Sequence, residues 1–469
     1  MKRRIDNFFE ISKRQSTISR EIIAGIAVFF AMLYILPVNS EMLAFNVDKG
    51  TGMSGATVGS VFAATALASA ISTLIMGLVA NYPIALSAGM GMNAVIAFTV
   101  CGVLGYSGEE ALALIILSGI LFLLLSLTKI RTKIVKAIPH NLKIAVSCGL
   151  GFFIAYIGLK NAGIISFTTI EGYTTVSLVK INENPSVLLA FFGIFLVFAL
   201  QVIKGKINHF SVIIAMTITA ILGLILGQLG VQKMPSFDWS GEASGSIKEL
   251  GQTFLLGFKG MGSVLVKPEA YAVMFTLIFV NLFDTTATLL AVGKDAKAID
   301  NETGELINGQ KAVLADAIGA VVGGVLGTST VTSFVESSVG VESGARTGLS
   351  AVTVAILFLL SLVAYPIFTI FSGKAGSLIT ALALVAVGAA MFNSLKDLDW
   401  TDKISIIACF ITILFMVLTS SISDGIGIGF ISYVIMMVAS GKYKKVSLLM
   451  YIISFLFIIN YIIAFTILV

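Results

Sequence analysis

Gly327-Thr328-Ser329-Thr330-Val331-Thr332-Ser333-Phe334-Val335-Glu336-Ser337 lies in a stretch otherwise apolar enough to sit in lipid. It opens on hydroxyl residues and closes on a carboxylate, which costs roughly 2.5–3.5 kcal/mol at membrane depth unless it faces a cavity or a partner. Tyr82-Pro83-Ile84-Ala85-Leu86-Ser87-Ala88-Gly89-Met90-Gly91-Met92-Asn93 opens another short span in the same way, rich in small residues. Glycine-rich or broken segments at matching positions of two halves mark a site near the middle of the bilayer. Freed backbone N–H and C=O groups there can bind a ligand, and half-helix N-termini add positive partial charge.

The rest of the chain fits that frame. Of 469 residues, 57% are hydrophobic and 12% charged, with mean hydropathy +1.01; a soluble protein carries about 25% charge. Apolar runs of spanning length recur from Ile22 onward, so the fold class is an all-α polytopic membrane protein. The 45 glycines suit close helix contacts. Spans are expected at about 20–45, 54–80, 84–103, 109–128, 138–160, 187–203 and 209–231, then at about 270–293, 309–326, 329–345, 347–371, 376–392, 403–421 and 425–440. About fourteen crossings in two sets of seven put the second set in the membrane upside down, as inverted repeats. Residues 446–469 read as either a further crossing or a helix packed along the bundle. The basic residues of Lys2–Arg20, Lys129–Lys136, Lys204, Lys206, Lys294, Lys297 and Lys442–Lys445 then share one side, which the positive-inside rule makes the cytoplasm. The N-terminus is therefore expected in the cytoplasm, with Gly172–Ser186 and Gln232–Gly251 outside.

Other features bound the chemistry. Cys101, Cys148 and Cys409 read as packing residues, and His140 and His209 as interface or capping residues. The net charge of +5 argues for membrane orientation rather than nucleic acid. No cleavable leader is expected, and Asn301-Glu302-Thr303, a formal glycosylation sequon, falls on the cytoplasmic side. Nothing resembles a phosphate-binding loop, a metal-ligand cluster or a nucleophile constellation, so neither ATP-driven pumping, an enzyme nor a cofactor is expected.

The candidate site residues follow from polarity inside apolar spans. Glu336 can accept hydrogen bonds from a ring N–H and an exocyclic amine, and burial would let it pick up a proton. Asn281, within Phe279-Val280-Asn281-Leu282-Phe283-Asp284-Thr285, offers donors and an acceptor to a heterocyclic amide edge, or glues helices together. Asp284 and Asp316 read as site support, proton coupling or helix contacts. Asn93 reads as polar readout or a cap, and Asn39 as helix packing. Glu342 and Arg346, four apart, are expected to pair on a helix flank.

These strings together resemble the nucleobase–cation symporter family, the uracil and xanthine permease superfamily, and within it the azaguanine-type branch of hypoxanthine, guanine and adenine permeases. The matching stretches are Glu21–Gly25 through Tyr34–Asn39, Gly89–Ala94, Leu326–Thr332 with Glu336-Ser337 and Arg346–Leu349, Lys396–Trp400, and Asp424–Ile426 with Gly429–Tyr433. The resemblance implies a core domain of spans one to four and eight to eleven (residues 1–130 and 236–372). It implies a gate domain of the remaining spans (131–235 and 373–469). It also implies short strands in spans three and ten, a purine nucleobase bound where they meet, proton symport, elevator-like movement and a homodimer through the gate domains. Asn281, Ala88, Ser40 and Val417 depart from the branch, which carries Asp at the first position and Pro at the other three.

The expectation is thus a secondary active transporter of the inner membrane that imports purines. Glu336 and Asn281 would hold the ring, and Asn93 with Ser87, Ala88, Gly89, Thr328, Ser329 and Thr330 would complete the pocket. Because Asn281 cannot take a proton, sodium or another coupling is the variant reading. An anion or small-metabolite carrier of the same architecture is the alternative.

Overall fold

A computed structural model describes all residues except 1, 47–49, 129–136, 171–172, 180–185, 204, 206, 232–233, 235–244, 299–305, 369–375, 420 and 468–469. The arginine- and lysine-bearing segment 129–136, Lys204, Lys206 and the sequon lie outside the described residues.

The first part runs α1 (Lys2–Phe9), α2 (Ile18–Met32), α3 (Ile35–Leu43), α4 (Val58–Ile75), β1 (Leu86–Ala88), α5 (Met90–Ala94) and α6 (Gly108–Leu127). Then come α7 (His140–Asn161), strands β2 (Ile165–Ile170) and β3 (Tyr173–Leu178), α8 (Ser186–Val202) and α9 (Ser211–Gln228). Two short helices, α10 (Gly245–Glu249) and α11 (Gly257–Leu265), precede α12 (Pro268–Asp295) and α13 (Gly309–Leu326). The remainder is β4 (Val331–Ser333), α14 (Ser337–Glu342), α15 (Gly348–Ser361), α16 (Tyr365–Phe368), α17 (Gly376–Phe392), α18 (Lys403–Leu418), α19 (Ile422–Ala439) and α20 (Leu448–Ile467).

Among the described residues, nine helices are long and apolar enough to cross a membrane, and five shorter apolar helices accompany them. This is a multi-pass membrane protein. Starts are fixed locally: Thr57 with Ser60, and Ser107 with Glu110, form reciprocal caps on α4 and α6. Pro268 opens α12, where its missing N–H costs nothing.

Helices α2, α4, α6, α13 and α15 pack among themselves, with α11 against α6; α7, α8, α9, α17, α18 and α19 form a second packed set. Backbones touch at Gly77 and Gly348, where a Cβ on Gly348 would strike the Gly77 carbonyl. Glu21, buried within α2, accepts the N–H groups of Arg346 (2.8 Å) and Thr347 (3.3 Å), which open α15.

Three features bear on the expectations. The all-α class must admit an antiparallel hairpin, β2–β3 (Ile165↔Leu178 to Ile170↔Tyr173), whose second strand falls in the insert expected outside. The short strands that the resemblance implied in spans three and ten are present, β1 and β4, the second followed by a six-residue helix. Residues 446–469 contain α20, which packs on α19 and α12: Phe457 meets Phe275 edge-on at 5.6 Å, and the Tyr461 hydroxyl donates to the Asp424 carbonyl at 3.3 Å.

Candidate functional site

Two extended segments meet in the interior of the first packed set. Strands β1 and β4 pair antiparallel, Leu86↔Ser333, Ser87↔Thr332 and Ala88↔Val331. The ladder is lengthened by Gly89 N–H to the Thr330 carbonyl and by Phe334 N–H to the Ala85 carbonyl, both 3.0 Å. A two-stranded sheet in lipid would leave both outer edges unsatisfied, several kcal/mol per orphaned group, so neighbouring helices must satisfy them.

They do so with different chemistry. On the β1 side, the Thr73 hydroxyl of α4 accepts Leu86 N–H (2.9 Å) and donates to the Leu86 carbonyl (3.0 Å). Ser69, one turn earlier, bonds the Ser87 hydroxyl at 2.7 Å. On the β4 side, Asp316 of α13 takes the load. Its Oδ1 accepts Ser333 N–H and Ser333 Oγ, both 2.7 Å, and Thr332 Oγ1 at 3.3 Å. Its Oδ2 accepts Thr285 Oγ1 of α12 at 2.5 Å. Gly327, at φ +98°, ends α13 and turns the chain toward β4; a side chain there would collide with Thr253.

Each expected site residue now has a place. Glu336 follows β4, is partly buried, and accepts the Tyr34 hydroxyl at 2.7 Å. Thr328 joins Asn39 Nδ2 (2.9 Å) and the Thr65 hydroxyl (2.8 Å) in a buried triad linking β4 to α3 and α4. Ser329 donates to Asn93 Oδ1 across the two broken spans. Gly89 commits its N–H to Thr330, and Ala88 lies opposite Val331 in the strand register.

Asn281 is 1% exposed, and among the described residues neither its Nδ2 nor its Oδ1 has a partner; the Thr330 hydroxyl is equally orphaned. Both face a tightly packed crevice lined also by Ser118, Gly119, Phe122, Leu277, Ile278 and Ala320. Asp284, three residues on, is partly buried and makes no hydrogen bond among the described residues. Strand pairing and shared hydroxyls therefore bring Ser87, Asp316, Thr330 and their neighbours together. Asn281 and Glu336 face different neighbours, the packed crevice beside Ser118 and Thr330 and the Tyr34 hydroxyl.

The Glu342–Arg346 pair is not formed. Helix α14 ends at Glu342 and the chain turns at Gly344 (φ +105°), so helical spacing does not carry across. Arg346 instead donates to the Val341 (2.8 Å) and Ala345 (2.6 Å) carbonyls. Glu342 meets His209 Nε2 at 3.0 Å. All three cysteines are buried and free, and the described residues hold no cluster of metal-ligating type.

Sequence reasoning missed Tyr34, Thr73, Ser69 and Thr285. Tyr34 carried a signal, because a phenol in an apolar span needs a partner for its hydroxyl. The three small hydroxyls did not, since Ser and Thr in membrane helices usually bond their own backbone.

A family model described as Permease family (Xan_ur_permease) matches residues 19–428. The chain is 38% identical over 456 residues to the guanine/hypoxanthine permease PbuO of Bacillus subtilis (strain 168), covering 96% of this chain and 99% of that one. It is 33% identical over 456 residues to the adenine permease AdeP of Escherichia coli (strain K12), covering 97% and 95%. In fold it is similar to the transmembrane domain of a cyanobacterium bicarbonate transporter, BicA, with TM-score 0.57 at 14% identity over 87% of this chain and 96% of that one. A match through most of the polypeptide, with relatives above 30% identity nearly end to end, places one conclusion beyond the fold: the chain belongs to the permease family.

Proposed function

We propose that this permease imports purine nucleobases across the inner membrane by proton symport. The reading takes fourteen crossings in two inverted repeats, with a cytoplasmic N-terminus. The core would be residues 1–130 and 236–372, and the gate 131–235 and 373–469. The core moves against the gate in an elevator-like step, and two chains join through their gates. Glu336 accepts the purine N–H edge, and Asn281, Asn93 and the backbone of Ser87–Gly89 and Thr328–Thr330 shape the pocket. Asp284 and Glu336 are the groups left to carry the proton, with Asp316 as site support, because an amide at Asn281 cannot.

The observation that carries this reading is the Glu336 carboxylate, set just beyond a strand pair inside the bundle and accepting the Tyr34 hydroxyl. That leaves acceptor capacity for a ligand's donors. The named relatives, guanine/hypoxanthine and adenine permeases, support the substrate class. The anion reading wants a cation aimed at the strand pair, and Arg346 spends its guanidinium on carbonyls instead.

The test is uptake of labelled hypoxanthine, guanine, adenine and uracil in cells lacking their own carriers, with and without a proton or sodium gradient. Purine uptake that needs the proton gradient and is lost in Glu336→Ala is expected. Unchanged uptake by Glu336→Ala removes its role, and a requirement for sodium alone replaces the coupling ion.

A further inference from the structure

Lys143 sits in the first turn of α7, partly buried, with its ammonium 5.6 Å from the centre of the Phe283 ring on α12. Among the described residues it has no carboxylate partner. Helix α7 packs on α17, α18 and α19, in the set opposite to the strands. Phe283 ends an aromatic file across the same seam: Phe283 to Phe279 at 4.6 Å, then Phe279 to Phe430 of α19 at 5.4 Å.

The next residue after Phe283 is Asp284, a partly buried carboxylate that also has no hydrogen bond among the described residues. Its like-charged neighbour Asp316 already serves Thr285, Thr332 and Ser333. Two groups of opposite ionisable type therefore stand without an ion-pair partner among the described residues, Lys143 on α7 over the Phe283 ring and Asp284 next to Phe283 on α12. Uncompensated charges at this depth are expensive, and they pair with one another when they can. Adjacent Cα atoms are about 3.8 Å apart, and lysine has a long flexible stem. Successive side chains on a helix point about 100° apart, so bringing the ammonium from the Phe283 ring to the Asp284 carboxylate requires α12 to shift or turn against α7.

We propose that Lys143 and Asp284 are alternating partners across this seam: Lys143 rests on Phe283 in the state described and pairs with Asp284 when the empty carrier resets. This rests on the transport reading above. A bound substrate with its proton covers Asp284 on the loaded stroke, and Lys143 covers it on the empty stroke. Lys143 is a positioning residue that never needs to touch the purine.

In proteoliposomes, Lys143→Met should lower net uptake at least tenfold while purine exchange, which needs no empty return, stays within about twofold. Lys143→Arg should retain both. Equal loss of uptake and exchange, or loss of neither, overturns the proposal. A second arm needs no purine: Lys143→Cys with Asp284→Cys, in a background lacking Cys101, Cys148 and Cys409, treated with a short bifunctional thiol reagent. Cross-linking without purine that is suppressed by hypoxanthine is expected, and no cross-link in either condition overturns the pair. If the wild type moves no purine, the proposed function fails, and cross-linking without purine still decides whether the two positions meet.

Discussion

Strands β1 and β4 solve one problem with different means. Each is three residues long, each needs its outer edge satisfied away from water, and each lies against one long helix. Helix α4 meets β1 with the hydroxyls of Thr73 and Ser69. Helix α13 meets β4 with the carboxylate of Asp316, which gathers a backbone N–H and three hydroxyls from two other elements. A hydroxyl can donate and accept, so it can staple both groups of one residue. An ionised carboxylate only accepts, so it collects donors, binding strand, helix α12 and helix α13 into one unit. The polar load falls unevenly as a result. At the strand pair the carboxylate, Asp316, belongs to the second half, while the first contributes the hydroxyls of Ser69 and Thr73 and the amides of Asn39 and Asn93.

Breaking the charged side should cost most. Asp316→Ala leaves Ser333 N–H and the Thr285 and Ser333 hydroxyls without an acceptor in a buried site. Each orphaned donor costs about 1–3 kcal/mol, so a loss of at least about 3 kcal/mol is expected, read as a collapse of the melting temperature of the solubilised protein. Asp316→Asn, which keeps one acceptor oxygen, should fall between that variant and the wild type. Thr73→Val removes both bonds to Leu86 and should cost about 2 kcal/mol in the same assay. Ser87→Ala, which loses one hydroxyl pair with Ser69, should cost about 1 kcal/mol or less. If Thr73→Val proves as damaging as Asp316→Ala, the two edges are equivalent and the contrast fails.

How much of this the sequence disclosed depended on whether the cue was local. The two broken spans were legible because glycine and small hydroxyl residues cluster at the starts of spans that are too short, while their form as strands came from the resemblance alone. Glu336 and Asp316 were legible because carboxylates rarely survive in apolar runs. Their partners were not: Thr285 and Asp316 are 31 residues apart, and Asn39 and Thr328 are 289 apart, so only the fold announces those bonds. The hairpin was legible in principle. Ile165–Ile170 and Tyr173–Leu178 are rich in β-branched residues around a Glu-Gly pair, a cue outweighed by the surrounding helical spans. The expected Glu342–Arg346 pair applied helix spacing across a chain reversal. Asn281 was found by its polarity, yet its neighbours, Ser118 and Thr330, could not be read from any local spacing.

The account turns on Glu336 receiving the donors of a purine beside the strand pair. The most direct measurement is ligand-induced thermal stabilisation of purified protein with hypoxanthine, guanine, adenine, uracil and bicarbonate, for the wild type and for Glu336→Gln. A ligand that binds the folded state at 100 times its dissociation constant stabilises it by about 2.7 kcal/mol. The prediction is stabilisation of the wild type by at least one purine and its loss in Glu336→Gln. Equal purine stabilisation of both proteins, or stabilisation by bicarbonate and no purine, would contradict it.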